Sequence, residues 1–122
     1  MQLMQVTEID LDSFCTWLCE REHQIVGRPG MVYYCPLAQW LSERSGHIYG
    51  VESRVYGRAT CAFHCWRLLP RWAEVFVAWS DVLAFRAITG GEALVLLASV
   101  ELALHLVNAK TYPHRGAKEK VR

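Results

Sequence analysis

The apolar positions of the chain change period several times, and those changes mark its elements. Phe14, Trp17 and Leu18 recur at helical spacing with Cys15 beside them. Asp10 or Asp12 stands just ahead, where a short acidic side chain accepts from the open N–H groups of a first turn. A first helix is predicted from there to about Gln24. "VGRPGMVYY" breaks the pattern with Gly27, Pro29 and Gly30, giving a turn and then a short extended stretch over 31–34. "CPLAQWLSERSG" opens a second helix at Pro36, whose missing N–H costs nothing in a first turn, and closes it at Gly46.

From His47 onward the period falls to two. Tyr49, Val51, Ser53 and Val55 alternate with Gly50, Glu52, Arg54 and Tyr56, and Gly57-Arg58 offers a turn before a second run over 59–66, so a β-hairpin is expected. Pro70 then opens a third helix, in which Trp72, Phe76, Trp79 and Leu83 recur at i, i+4, i+7 and i+11. Thr89-Gly90-Gly91-Glu92 is a capping box for a fourth helix running to about Asn108. The reading is α+β, about four helices packed on a small antiparallel hairpin or sheet, in a single domain over 1–109 with a basic flexible tail over 110–122.

Length and composition agree with one domain. A chain of 122 residues holds enough for one core and too little for two, and 52% hydrophobic residues with 20% charged ones exclude general disorder. The most apolar run, 93–107, is shorter than the roughly 20 residues that span a bilayer and contains Glu101 and His105, so a buried helix is expected and no membrane insertion. "MQLMQVTEIDLD" has no basic stretch ahead of an uninterrupted apolar one, so a cytoplasmic protein is expected rather than a secreted one.

A net charge of +1 argues against binding polyanions by bulk charge. Its distribution is uneven. Glu8, Asp10, Asp12, Glu20 and Glu22 face Arg21 alone in the first 24 residues, whereas "KTYPHRGAKEKVR" sets five basic residues against Glu119. Such a chain suits an internal pairing of faces or a modest contact with an anionic surface.

Candidate chemistry centres on the five cysteines. "ATCAFHCWRLLP" brings Cys61, His64 and Cys65 close in sequence, but on a strand Cys61 and Cys65 would sit about 13 Å apart with His64 on the opposite side. Zinc needs ligand sulfurs about 2.3 Å from one centre, so no metal and no cofactor is expected there. Cys15 and Cys19 are helix neighbours, yet no close C-x2-C knuckle accompanies them. Cys35, just ahead of Pro36, is the best-placed nucleophile, since a helix N-terminus lowers a thiol pKa, but its candidate bases His23, His47 and His64 are scattered. Gly90-Gly91 lacks the lysine of a phosphate loop, and capping is the better account of it.

"CPLAQWL" at 35–41, "LLPRWAEVFVAWSD" at 68–81 and "ITGGEAL" at 88–94 resemble, in the same order, small uncharacterised bacterial and phage proteins with a CPLA-x-(Tyr/Trp)-Leu helix. The resemblance implies a small accessory protein, phage- or mobile-element-borne, and carries no activity and no site.

These observations point to a non-enzymatic protein-interaction module, a homodimer in one version, because four tryptophans, Trp40, Trp66, Trp72 and Trp79, exceed what one small core needs. Trp40 and Trp79 are the expected anchors for a protein partner. Two alternatives stand beside it. One is a nucleic-acid binder using Arg54 and Arg58 of the hairpin, Tyr56 or Trp66 to stack on bases, and the basic tail; the other is a Cys35 thiol enzyme.

Overall fold

The computed structural model describes residues 9–83 and 86–111, and side chains as far as residue 106. The fold is α+β. Its first helix, α1 (Leu11–Cys19), begins where the sequence placed it, since the Asp10 carboxylate accepts from the Ser13 N–H at 3.0 Å. It stops five residues earlier than expected. After Cys19 the chain tightens, with Arg21 N–H bonded to Leu18 O and Gln24 N–H to Arg21 O, and the carbonyls this exposes receive a different helix, as described below.

Residues 31–34 are a turn rather than an extended stretch, closed by Cys35 N–H on Met31 O at 2.9 Å. α2 (Pro36–Ser45) follows as expected, with Pro36 in its first turn and Gly46 ending it in the left-handed region at φ 80°. The hairpin exists but is shifted. β2 (Tyr49–Glu52) and β3 (Val55–Arg58) pair antiparallel through a two-residue turn at Ser53-Arg54, not at Gly57-Arg58. The run over 59–66 is no strand; Phe63–Cys65 form a single 3-10 turn. A short β4 (Arg67–Leu68) then pairs with β3 and completes a three-stranded sheet in the order β2-β3-β4.

α3 (Arg71–Leu83) buries Ala73, Phe76, Val77 and Ser80, leaving Trp72 and Trp79 half-buried and Leu83 exposed. Before α4 (Gly90–Thr111), Ile88–Thr89 form β5, which pairs antiparallel with β1 (Ile25–Gly27) in a second sheet of two strands. The period gave no sign of this sheet, because two- and three-residue strands carry no alternation to read. The basic tail expected over 110–122 lies outside the described residues from 112 onward, and residues 110–111 belong to α4.

The core gathers around Phe14, which is fully buried. Its ring centroid lies 5.1 Å from Trp40, 5.5 Å from Phe76, 5.8 Å from Trp72 and 6.2 Å from Trp17, so α1, α2 and α3 meet on one aromatic residue. Burying such a side chain is worth about 1.5–3 kcal/mol, before the preferred tilted and edge-on ring geometries add to it. α1 and α2 are also tied at the surface. Glu43 accepts from Trp17 Nε1 at 3.1 Å and from Arg21 Nη2 at 2.8 Å.

Candidate interaction surface

Two glycines fix where α4 starts. Gly90 N–H donates to the carbonyls of Arg21 and Gln24, and Gly91 N–H donates to Glu22 O at 2.9 Å. A Cβ on Gly90 would lie 2.5 Å from Arg21 O, so only glycine lets the two backbones approach. The donors of the first turn are thereby spent on the end of α1. Thr89 and Glu92 complete the start as a capping box, with Glu92 N–H on Thr89 Oγ1 and Thr89 N–H on Glu92 Oε1. No open N–H cluster is presented there to a phosphate.

The two expected anchors differ in exposure. Trp40 is 2% exposed, wedged between Phe14 and the Arg44 guanidinium, which lies 5.0 Å from its ring. It belongs to the core, because Phe14 reaches it from a helix 26 residues earlier. Trp79 is half-buried and packed against the core.

The hairpin likewise does not assemble a stacking-and-phosphate surface. Arg54 sits in the turn with Nε 3.4 Å from Glu74 Oε2. Arg58 stands opposite Tyr49 in the register, so alternation puts it on the face of Val51 and the buried Tyr56. Trp66 lies on the other face, over Gly50 and Gly57. Arg58 and Trp66 are on opposite faces of the sheet, and Tyr56, on the face of Arg58, is buried.

Cys35 has the reverse of the expected electrostatics. It is 5% exposed, and burial pushes its thiol up to about 11, with the Asp81 carboxylate adding to the rise against backbone N–H groups of Ala38 and Leu37. The dipole of α2 loses to desolvation. Asp81 itself is raised by burial and accepts from Gly30 N–H. Both line a cavity of about 180 Å³ beside Glu52, Ser53, Met31 and Val77, with no histidine in its wall. The thiol lies among carboxylates and apolar groups, with its pKa raised. Cys61, His64 and Cys65 are all exposed around the 3-10 turn, so the strand geometry expected to disperse them does not exist. Among the described residues, no three His, Cys, Asp or Glu side chains group as a metal site. A larger open groove of about 480 Å³ between α1 and α2 is lined by Trp17, Arg21 and Glu43, whose polar atoms are engaged with one another.

The surface feature missed in the sequence is on α4. The apolar run over 93–107 was read as a buried helix, but among its described side chains Ala93, Leu97 and Val100 are fully buried, with Leu94, Leu96 and Leu104 partly so. At 100° per residue, Val95, Leu102 and Leu106 point the opposite way. They are 69%, 60% and 57% exposed. Ala98 and Ser99, also exposed, lie between them, and the Ser99 hydroxyl donates to Val95 O at 3.0 Å, so the one polar group in the stripe is satisfied inside the helix. The signal was legible: a helix with large apolar residues on two opposite faces, of which packing on the other helices covers one. Among the described residues no helix is long and apolar enough to cross a membrane. No family model matches the chain, and neither a curated protein nor a solved structure matches it.

Proposed function

We propose that the chain is a non-enzymatic protein-interaction module that docks through the outward face of α4. The observation that supports this is the stripe of Val95, Ala98, Leu102 and Leu106, an apolar face with its only hydroxyl internally bonded, on a helix whose other side already anchors the core. Large apolar side chains aligned on one rigid helix are what a helical docking surface requires. The aromatic anchors first expected, Trp40 and Trp79, are replaced by these aliphatic ones. The burial of Cys35, which raises its thiol pKa, supports this reading over that of a Cys35 thiol enzyme.

Site-specific photo-crosslinking in cells tests the reading. A photoreactive residue at Leu102 or Leu106 should give discrete protein adducts, and the same residue at Thr60, on the exposed loop after β3, should give none. Absence of adducts along α4 would remove the docking role.

A further inference from the structure

We infer that the cavity enclosed by the start of α2, α3 and the turn between β2 and β3 is a binding site for a small primary alkylammonium ion. None of its described lining residues is on α4, so the site is separate from the docking face.

The wall of the cavity is acidic and has no counter-ion of its own. Asp81 on α3 and Glu52 at the end of β2 both line its volume of about 180 Å³, and none of the described residues beside them is a lysine, arginine or histidine. Arg54, which follows the lining Ser53 in the turn, is drawn to Glu74 instead. Asp81 accepts from the Gly30 N–H and is otherwise without an ion-pair partner among the described residues. Burial raises its pKa, so this carboxylate gains more from an arriving cation than one in open water.

A buried group turns the acidic wall into a shaped site. Cys35 lines the same cavity, is 5% exposed and makes no side-chain cap bond to the first turn of α2. The charge of Asp81 reaches its thiol, which places sulfur and carboxylate close together.

These acceptors select the ion. A primary ammonium carries three N–H donors, and two carboxylates with a sulfur, a weak acceptor, surround one small space. A divalent metal ion fits less well. Magnesium and calcium take about six or more oxygens at roughly 2.0–2.6 Å, and among the described residues no three His, Cys, Asp or Glu side chains group for such an ion. Hydrogen bonds of about 2.7–2.9 Å suit a wider set of acceptors. The remaining wall takes the alkyl chain, since Val51 and Val77 are buried at 3% and 6% exposure. At about 30 Å³ per water-sized group, a cavity of about 180 Å³ holds roughly six heavy atoms, the size of a four-carbon amine.

Titration of the full chain with n-butylammonium, followed by amide NMR shifts and calorimetry, tests the site. Saturable binding with a dissociation constant of about 1 mM or below is expected, with shifts concentrated at Gly30, Cys35 and Ser53. Asp81→Asn, whose side-chain carbonyl still accepts from Gly30, should raise that constant about tenfold or more. Glu52→Gln, on the exposed rim, should raise it several-fold and serves as the second variant if the first disturbs folding. n-Butanol, which lacks the charge, and n-butyltrimethylammonium, which lacks the N–H donors, should each bind about tenfold more weakly. A lysine side chain offers the same ion, and Nα-acetyl-lysine amide separates the two sources. Weaker binding than n-butylammonium is expected of a cavity that takes the whole ligand; tighter binding would overturn the free amine in favour of a partner's lysine. Displacement of the amine by magnesium at matched ionic strength, n-butanol binding as well as the amine, or linear shifts spread over Glu20, Glu22 and other surface carboxylates would overturn the inference. So would a dissociation constant unchanged by both Asp81→Asn and Glu52→Gln.

Discussion

Trp66 lies flat across Gly57. A Cβ on that glycine would stand 2.5 Å from the indole Cγ and 2.8 Å from Nε1, while the indole N–H donates to Arg58 O at 3.1 Å and the Phe63 ring leans on it at 5.1 Å. The cross-strand pair Gly50 and Gly57 is therefore a floor for a ring, and the loop over 59–66 is held down by Trp66 rather than by strand pairing.

It follows that Gly57→Ala should destabilise the fold by about 1–3 kcal/mol, the usual cost of forcing an added methyl into a filled site, because a rigid indole rather than a flexible side-chain end must give way. In a Trp66→Ala background the same substitution should cost much less. Urea unfolding of the four proteins closes the double-mutant cycle, and additive effects would show that the ring does not set the requirement for glycine.

Gly90 and Gly91 make a sharper contrast. Gly90→Ala drives a methyl into the Arg21 and Leu18 carbonyls, which belong to backbone and cannot rotate away, so a loss of about 2 kcal/mol or more is expected. At Gly91 the nearest groups are Glu22 O at 3.1 Å and the Glu22 side chain at 3.2 Å. There a few tenths of an ångström of yielding are offset by the gain of about 1 kcal/mol that alanine brings to a helix, leaving Gly91→Ala near neutral. Equal losses at both positions in thermal melts would contradict the close approach at Gly90.

These glycines also show where sequence reasoning stops. The capping box at 89–92 was readable because its partners are three residues apart. That Gly90 needs to be glycine was not, because the carbonyls it meets lie near residue 20, almost seventy positions away. The α+β class and all four helices followed from local period and capping residues. The hairpin turn did not, since alternation continues through Ser53 and Val55 and Gly57-Arg58 is the stronger turn signal; the ring over Gly57 is what keeps that glycine inside a strand. For the site the division is similar. Trp40 reads as surplus until Phe14 is placed beside it, and the α4 stripe reads as core until the neighbours of α4 are counted and found to cover one side.

The start of α4 should depend on acidity. Arg86 forms two hydrogen bonds to the Glu92 carboxylate, at 2.6 and 3.1 Å, and these with the Thr89 N–H hold its pKa down at about 2, from an ordinary 4.5. A carboxylate depressed in the folded state contributes stability that is present above pH 4.5 and is lost as pH falls toward 2. Glu92→Gln should lower stability at neutral pH and remove this part of the acid dependence. Thr89→Ala, which deletes the cap to Glu92 N–H and the smallest of the contributions that lower the Glu92 pKa, should cost about 1 kcal/mol and leave most of the acid dependence in place. Urea midpoints measured through the acid range distinguish the two, and a Glu92→Gln profile parallel to that of the wild type would contradict the pairing.

The cysteines offer the last test, and their order of reaction is set by burial. Cys19, Cys61 and Cys65 are exposed, Cys15 is half-buried, and Cys35 is closed in against Asp81. A thiol-disulfide reagent at neutral pH should consume the three exposed groups first, Cys15 more slowly because burial and Glu101 raise its pKa, and Cys35 only when the protein unfolds. A chelator should leave the melting temperature unchanged, and elemental analysis should find no stoichiometric zinc; loss of the fold on chelation would restore a metal role for the exposed Cys61, His64 and Cys65. Cys35 also makes a prediction at high pH. Its thiol is pushed from 9.0 to about 11 on folding, so its contribution to stability is complete below pH 9 and disappears as pH rises through 11, where the buried thiolate must form. Cys35→Ala should therefore flatten the fall in stability across that interval. Early labelling of Cys35 in the folded protein, or an alkaline profile unaltered by Cys35→Ala, would show that the cavity is open to solvent and that the thiol is available for chemistry after all.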